Sequence, residues 1–186
     1  MKKLDELAAV ISPPAQPRRI ITDDDWLQLF KHFGTRLPQD FVQYHKVYGA
    51  GYFISQSHKM SANLEIYGRA CNGDFKFKVP QRLSELRLAK ELRPKSLPFP
   101  LYWEPNGLLP WGRTTNDTDL CWRVHGELVD NWKVIAVRIA SREYEEYDLT
   151  MTEFLRAIIS GGITSNLMPK GFPGEKGVGF EVDPYC

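Results

Sequence analysis

Two tryptophan-bearing apolar runs, Leu108-Leu109-Pro110-Trp111 and Leu120-Cys121-Trp122, stand either side of the polar segment Thr114–Asp119. No other feature constrains the fold as strongly. Buried-looking runs joined by Asn, Asp and Thr read as neighbouring antiparallel strands with a loop between them. An aromatic of this size buries roughly 150–250 Å², so Trp111 and Trp122 anchor a core by themselves. The loop carries two carboxylates, Asp117 and Asp119, and none of the histidines or glycine spacing of a metal or phosphate site.

Helical faces surround this pair. Thr22, with Asp25 three residues on, is a capping-box pattern ahead of Trp26, Leu29, Phe30 and Phe33 at i, i+3, i+4 and i+7; Gly34 ends that helix. Leu37-Pro38-Gln39-Asp40 opens the next, because a first-turn proline lacks only an amide that has no intrahelical partner, and Asp40 suits the positive end of the helix dipole. Its expected buried face is Phe41, Tyr44, Val47 and Tyr48. Residues 52–54 and 64–67 read as strands, and Phe75-Lys76-Phe77-Lys78-Val79 alternates like a half-exposed strand that Pro80 terminates. A third helix is expected over Leu83–Leu92, capped by Ser84, with Leu88 and Leu92 facing inward. Leu97–Trp103, set among prolines, is extended, and Val134–Val137 is an inner strand. Thr150 and Glu153 form a second capping box before Met151, Phe154, Leu155 and Ile158, with Gly161-Gly162 as the stop.

Helices first, strands in the middle and one closing helix imply an α+β domain: a mainly antiparallel twisted sheet with helices packed on one face. Trp26, Phe30, Phe41, Tyr44, Trp111, Trp122, Val137, Phe154 and Leu155 are expected in one shared core. A chain of 186 residues fits one such domain. Residues 1–21 form a lead-in, with a short helix over 4–11 broken by Ser12–Pro17. Residues 22–160 form the domain, and the Gly/Pro-rich tail 161–186 packs irregularly or is partly disordered.

Chemistry is poorly represented. His32, His45, His58 and His125 lack ligand spacing, so no metal is expected, and His45 reads as a boundary helix residue. Cys71, Cys121 and Cys186 are far apart without a CxxC, which points to a reducing cytoplasm; Cys121 is inert within its strand. Asp5 and Glu6 spoil a signal peptide, and no run approaches about 18 apolar residues. Formal net charge is +1, so nucleic-acid binding would need a local basic face. The candidate, Arg82, Arg87, Lys90, Arg93 and Lys95, is interrupted by Glu85 and Glu91 and lacks interleaved aromatics. With no nucleophile–base constellation and no cofactor motif, a non-enzymatic protein is expected.

Taken in order, these pieces resemble the SUKH superfamily, the SMI1/KNR4 domains. The resemblance rests on Trp26, Leu37-Pro38-Gln39-Asp40-Phe41 with Tyr44, Tyr48-Gly49-Ala50-Gly51 and Leu108-Leu109-Pro110-Trp111-Gly112. It continues through Asn116, Asp117, Asp119, Cys121-Trp122, Trp132-Lys133-Val134-Ile135 and Tyr147–Leu155. Where the family commonly has Asn-Gly-Asp in the central turn, this chain has Asn116-Asp117-Thr118-Asp119. The turn must therefore form without glycine. The resemblance implies an immunity protein that binds and neutralises a cognate toxin domain of a polymorphic toxin system, often a nuclease, without doing chemistry itself. Two alternatives stay open: a regulatory scaffold with a housekeeping partner, and a nucleic-acid-binding or hydrolytic protein.

A docking surface is expected at one of two stretches. One is the loop Thr114–Asp119. The other is Arg142–Asp148, a loop in which four carboxylates crowd two tyrosines. Acidic side chains steer a basic partner, so Asp117, Asp119, Tyr144, Glu145 and Glu146 are the expected contacts. The plainer reading of the second stretch is a solvated loop in which Asp148 favours the coming helix and Tyr147 packs inward.

Overall fold

The computed structural model describes residues 2–59, 61–70 and 73–182. The tryptophan pair lies on adjacent antiparallel strands, β5 (Leu108–Thr114) and β6 (Asp119–Arg123), with Leu109 opposite Trp122 and a bulge between Pro110 and Gly112 that leaves Trp111 without a cross-strand partner. Their rings are 6.0 Å apart. Five further strands, β1 (Gly51–Ser55), β2 (Asn63–Ile66), β7 (Lys133–Arg138), β8 (Glu143–Tyr147) and β9 (Val178–Val182), complete a seven-stranded sheet. Its order is β8-β7-β6-β5-β2-β1-β9, and every neighbouring pair is antiparallel. β3 (Arg69–Ala70) and β4 (Gly73–Asp74) pair separately.

Among the described residues, five α-helices pack alongside: α1 (Lys2–Val10), α2 (Asp23–Phe33), α3 (Gln39–Val47), α4 (Phe75–Leu92) and α5 (Met151–Ile159). They occupy both faces of the sheet, not one. Along β6, Asp119 and Trp122 are three residues apart and so point to opposite sides. Trp122 meets Phe41 of α3 with ring centroids 4.9 Å apart, whereas Asp119 meets Arg82 of α4. The consecutive apolar residues Val134-Ile135-Ala136-Val137, all buried, carry the reason: a strand apolar at every position needs cover on both faces.

The N-terminal boxes form as expected. Asp25 accepts from the Thr22 amide at 3.2 Å, so aspartate closes the box in place of glutamate. Glu153 accepts from the Thr150 amide at 2.9 Å. A second carboxylate reaches the same end of α5 from another element: Asp40 on α3 accepts from the Thr152 amide at 3.0 Å and its hydroxyl at 3.1 Å. Asp40 thus ties two helices together.

Residues 75–92 differ from expectation. Phe75–Val79 is helical, and α4 continues through Pro80 to Leu92. Period two and period 3.6 both bring residues 75 and 79 to one side; residue 77 separates them, since only a helix turns it away. Phe77 is 65% exposed while Phe75 and Val79 are buried. The buried face runs on through Leu83 and Leu86. Leu88 and Leu92, expected inside, are 57% and 75% exposed, and Ser84 lies within the helix, not at its cap.

All nine residues expected in the core join one buried cluster, with Phe30 partly buried against it. The lead-in contributes too: α1 buries Leu4 and Leu7, and Lys3 pairs with Glu153 at 3.0 Å. The tail is more regular than expected. β9 pairs with β1 over five residues, Phe180 opposite Phe53, and Leu167 and Met168 are buried.

Candidate functional site

The two stretches expected to dock a partner meet at one end of the sheet. β5 and β6 are joined by the short connection 115–118, in which the Asp117 amide donates to Thr114 O at 3.1 Å. Asp117 adopts φ 64°. Aspartate tolerates the left-handed region better than most residues, which is how this turn forms without glycine. Three donors then converge on the carbonyl of Leu167: Asn116 Nδ2 at 3.1 Å, Thr118 Oγ1 at 2.6 Å and Arg138 Nη2 at 2.7 Å. The β5–β6 turn, β7 and the tail are thereby held as one unit.

Residues 143–147 are not a loop. They form β8, an edge strand that pairs, among the described residues, only with β7. Strand alternation sends Glu143, Glu145 and Tyr147 to one face and Tyr144 and Glu146 to the other. The like-charge crowding seen in the sequence is therefore divided between two faces, and each carboxylate has a partner. Glu143 lies 3.6 Å from Arg138, Glu146 lies 3.5 Å from Arg123, and Asp148 lies 2.8 Å from Lys133. Glu145 accepts from the Asn166 amide at 3.0 Å and from the hydroxyls of Ser165 and Tyr147. It holds the tail in place. Burial, with Glu145 second, pushes the Tyr147 phenol up, and Tyr147 packs on Phe154 at 4.8 Å.

Asp119 is fully buried. Its two oxygens accept from Arg82 Nε and Nη2, both at 2.7 Å, and Arg82 also donates to Glu85 at 2.6 Å. Burial pushes the Asp119 carboxyl upward against the pull of the Arg82 guanidinium. Removing one member of such a pair costs about 3–5 kcal/mol, because the other charge is left buried alone. Asp119 is therefore a latch between the sheet and α4 and displays nothing to a partner.

Of the five expected contacts, Asp117, Tyr144 and Glu146 remain on the surface. Tyr144 is 46% exposed, and its ring stands edge-on to Phe99 at 4.9 Å. Through Val137 it shares a cross-strand row with Asp119, two residues beyond the Asp117 turn. A groove of about 480 Å³ lies alongside, bordered by Glu146, Arg123, Lys133 and His125.

His45 is not a boundary residue. It is fully buried among the rings of Trp26, Phe41 and Tyr44. A Cβ on Gly68 would come within 2.4 Å of its Cε1, so glycine is needed there. Neither ring nitrogen makes a hydrogen bond of ordinary geometry. Burial lowers its pKa to about 3, an effect that the backbone of Tyr67 and Gly49 partly offsets. The imidazole is neutral at physiological pH. Burial pushes the Cys121 thiol the other way, upward, while Cys71 and Cys186 lie outside the described residues.

Trp103, read in sequence as the end of an extended run, instead sits in a turn with φ 52°, a conformation that nothing in the residue type announces. It is 53% exposed and stacks on Phe33 at 6.0 Å. Among the described residues, no group of three or more His, Cys, Asp and Glu is placed to hold a metal ion, and no helix is long and apolar enough to cross a membrane. No family model, curated protein or solved structure matches the chain.

Proposed function

We propose that this chain is a non-enzymatic protein-binding module that docks a basic partner at the β8 end of its sheet. The observation that carries the reading is Tyr144: an aromatic side chain half exposed on an edge strand, braced by Phe99. Interfaces concentrate their energy in such anchors within a polar surround. Glu146 and Asp117 supply that surround. Their ion pairs are exposed at the carboxylate, with side-chain exposures of 49% and 73%, and pairs of this kind contribute only about 0–1 kcal/mol, so they exchange readily for a partner's cations. The sequence resemblance to SUKH domains extends the reading: the partner is a cognate toxin domain and the chain its immunity protein, with an SMI1/KNR4-like sheet.

The test is to recover the partner by co-purification and measure its affinity for Tyr144→Ala and Glu146→Lys. Truncating Tyr144 should cost about 2 kcal/mol or more, and the charge reversal should slow association most at low salt. Folded variants that bind as tightly and as fast as the parent would refute the β8 site. A toxin-bearing gene beside this one favours immunity; its absence favours a regulatory scaffold.

A further inference from the structure

α4 carries apolar residues on both of its sides, and folding uses only one. Phe75, Val79, Leu83 and Leu86 are the buried side. On the other, Phe77, Leu88 and Leu92 are each more than half exposed. With the exposed Gln81 and Ser84 they recur every three or four residues, which makes one stripe about 22 Å long. One exposed leucine needs no explanation. Three large apolar side chains aligned along one helix mark an interaction face. The charges of α4 fall into two groups. Lys78 contacts Glu65, Arg82 holds Asp119 and Glu85, and Arg87 and Lys90 donate to the carbonyls of Tyr102 and Phe99. Lys76 in the first turn and Glu91 in the last have no partner among the described residues. They stand about four turns apart on the same flank of the stripe.

We propose that a second copy of this chain covers the stripe, the two α4 helices packing antiparallel about a twofold axis beside Ser84. Such an interface must be self-complementary, and this stripe is. Pairing centred between Ser84 and Glu85 sets Phe77 on Leu92 of the second copy, Gln81 on Leu88 and Ser84 beside Glu85, so the exposed positions 77, 81, 84, 85, 88 and 92 map onto one another. The same twofold keeps each flank on its own side, so Lys76 of one copy meets Glu91 of the other, twice. A foreign helix of a single charge sign would satisfy one of these residues and repel the other. Ser84 is small enough for the axes to approach at the crossing. Each Glu85 arrives there with Arg82 at 2.6 Å as its own counter-ion. Pairing through the β8 edge instead would set its carboxylates against one another. A single helix pair is smaller than the roughly 1,200 Å² of standard stable interfaces, so the dimer is reversible. The face shares no residue with the β8 surface and does not depend on it.

Sedimentation of the intact chain over a range of concentrations should show a reversible monomer–dimer equilibrium. Leu88→Asp and Leu92→Asp should each weaken it by about tenfold or more, while Leu27→Asp on α2 and Tyr144→Ala on β8 should leave it unchanged. Lys76→Glu and Glu91→Lys each bring like charges together in two places and should each weaken it by about tenfold. The double substitution should restore it. Ser84→Cys should cross-link the dimer on oxidation beyond any cross-linking of the parent, because both copies of residue 84 lie beside the axis. Leu92→Cys, about 22 Å from its counterpart, should not. A chain that stays monomeric to roughly 1 mM, a dimer indifferent to Leu88→Asp, no restoration by the double substitution, no Ser84→Cys cross-link, or cross-linking through Leu92→Cys would each overturn the proposal. Denaturation at low concentration reports the monomer, so loss of the dimer and loss of the fold are read apart. Tyr144→Ala tests β8 alone, so the two surfaces fail separately.

Discussion

His45 shows how burial alone sets the behaviour of a residue. Its ring is enclosed by three aromatic side chains and pressed against Gly68, where protonation would strand a charge without water. The unfolded chain binds a proton at His45 below its ordinary pKa of 6.5, whereas the folded chain does not until about 3. Within that window the unfolded state holds more protons, so stability falls as pH falls, by about 1.4 kcal/mol per pH unit from this group. Urea denaturation across the window should show that slope, and His45→Gln should flatten it even if its stability at neutral pH is lower. An unchanged slope would show that other groups carry the acid sensitivity. In sequence His45 looked like an edge residue, because only the fold of residues 67 and 68 over α3 closes its last open side.

At the scale of elements, α4 is where local pattern and structure part. Five alternating residues cannot distinguish a strand from a helix, and Pro80 looked like a boundary. Proline disrupts a helix through its missing amide and a clash one turn back. Here the buried apolar face Phe75, Val79, Leu83 and Leu86, with Phe75 packed on Phe33 and Phe41, outweighs that cost. The latch of Arg82 on Asp119 and the contact of Lys78 with Glu65 fix the same face inward. The phase is testable by substitution. Leu83→Ala should lose about 2–5 kcal/mol, while Leu88→Asp and Leu92→Asp should stay within about 0.5 kcal/mol of the parent. Denaturant midpoints decide it, and a large loss at Leu88 or Leu92 would put the helix in the wrong phase. β8 teaches the same lesson from the other side: its carboxylates crowd in sequence and separate once the strand alternates.

At the scale of the whole molecule, α1 and residues 165–182 pack onto the central domain. α1 buries Leu4 and Leu7, the Leu167 carbonyl gathers three donors from the sheet end, and β9 covers the edge of β1. Ending the chain after Gly162 should therefore remove a strand, expose β1 as a new edge and leave Asn116, Thr118 and Arg138 without their shared acceptor. The expected loss is on the order of several kcal/mol, seen as a lower Tm together with a tendency to associate through the bared edge. A truncated chain that melts like the parent and associates no more than the parent does would show the tail to be dispensable.

What the sequence determined by itself is the set of features decided within a dozen residues. The two capping boxes, the burial of Trp26, Leu29 and Phe33 on α2, of Phe41 and Tyr44 on α3 and of Phe154, Leu155 and Ile158 on α5, and the pairing of the Trp111 and Trp122 strands all follow from local spacing, because a helix turn or a short connection brings those residues together in almost any fold. Tertiary structure alone decided the rest. Asp119 faces inward because Arg82, 37 residues away, waits on the opposite side of the sheet. Glu145 holds the tail because residues 165 and 166 return to it. Asp40 reaches the first turn of α5 at Thr152, 112 residues after it in the chain. A buried carboxylate such as Asp119 and an exposed one such as Asp117 look alike in a sequence. Distance and solvent, which only the folded chain supplies, tell them apart.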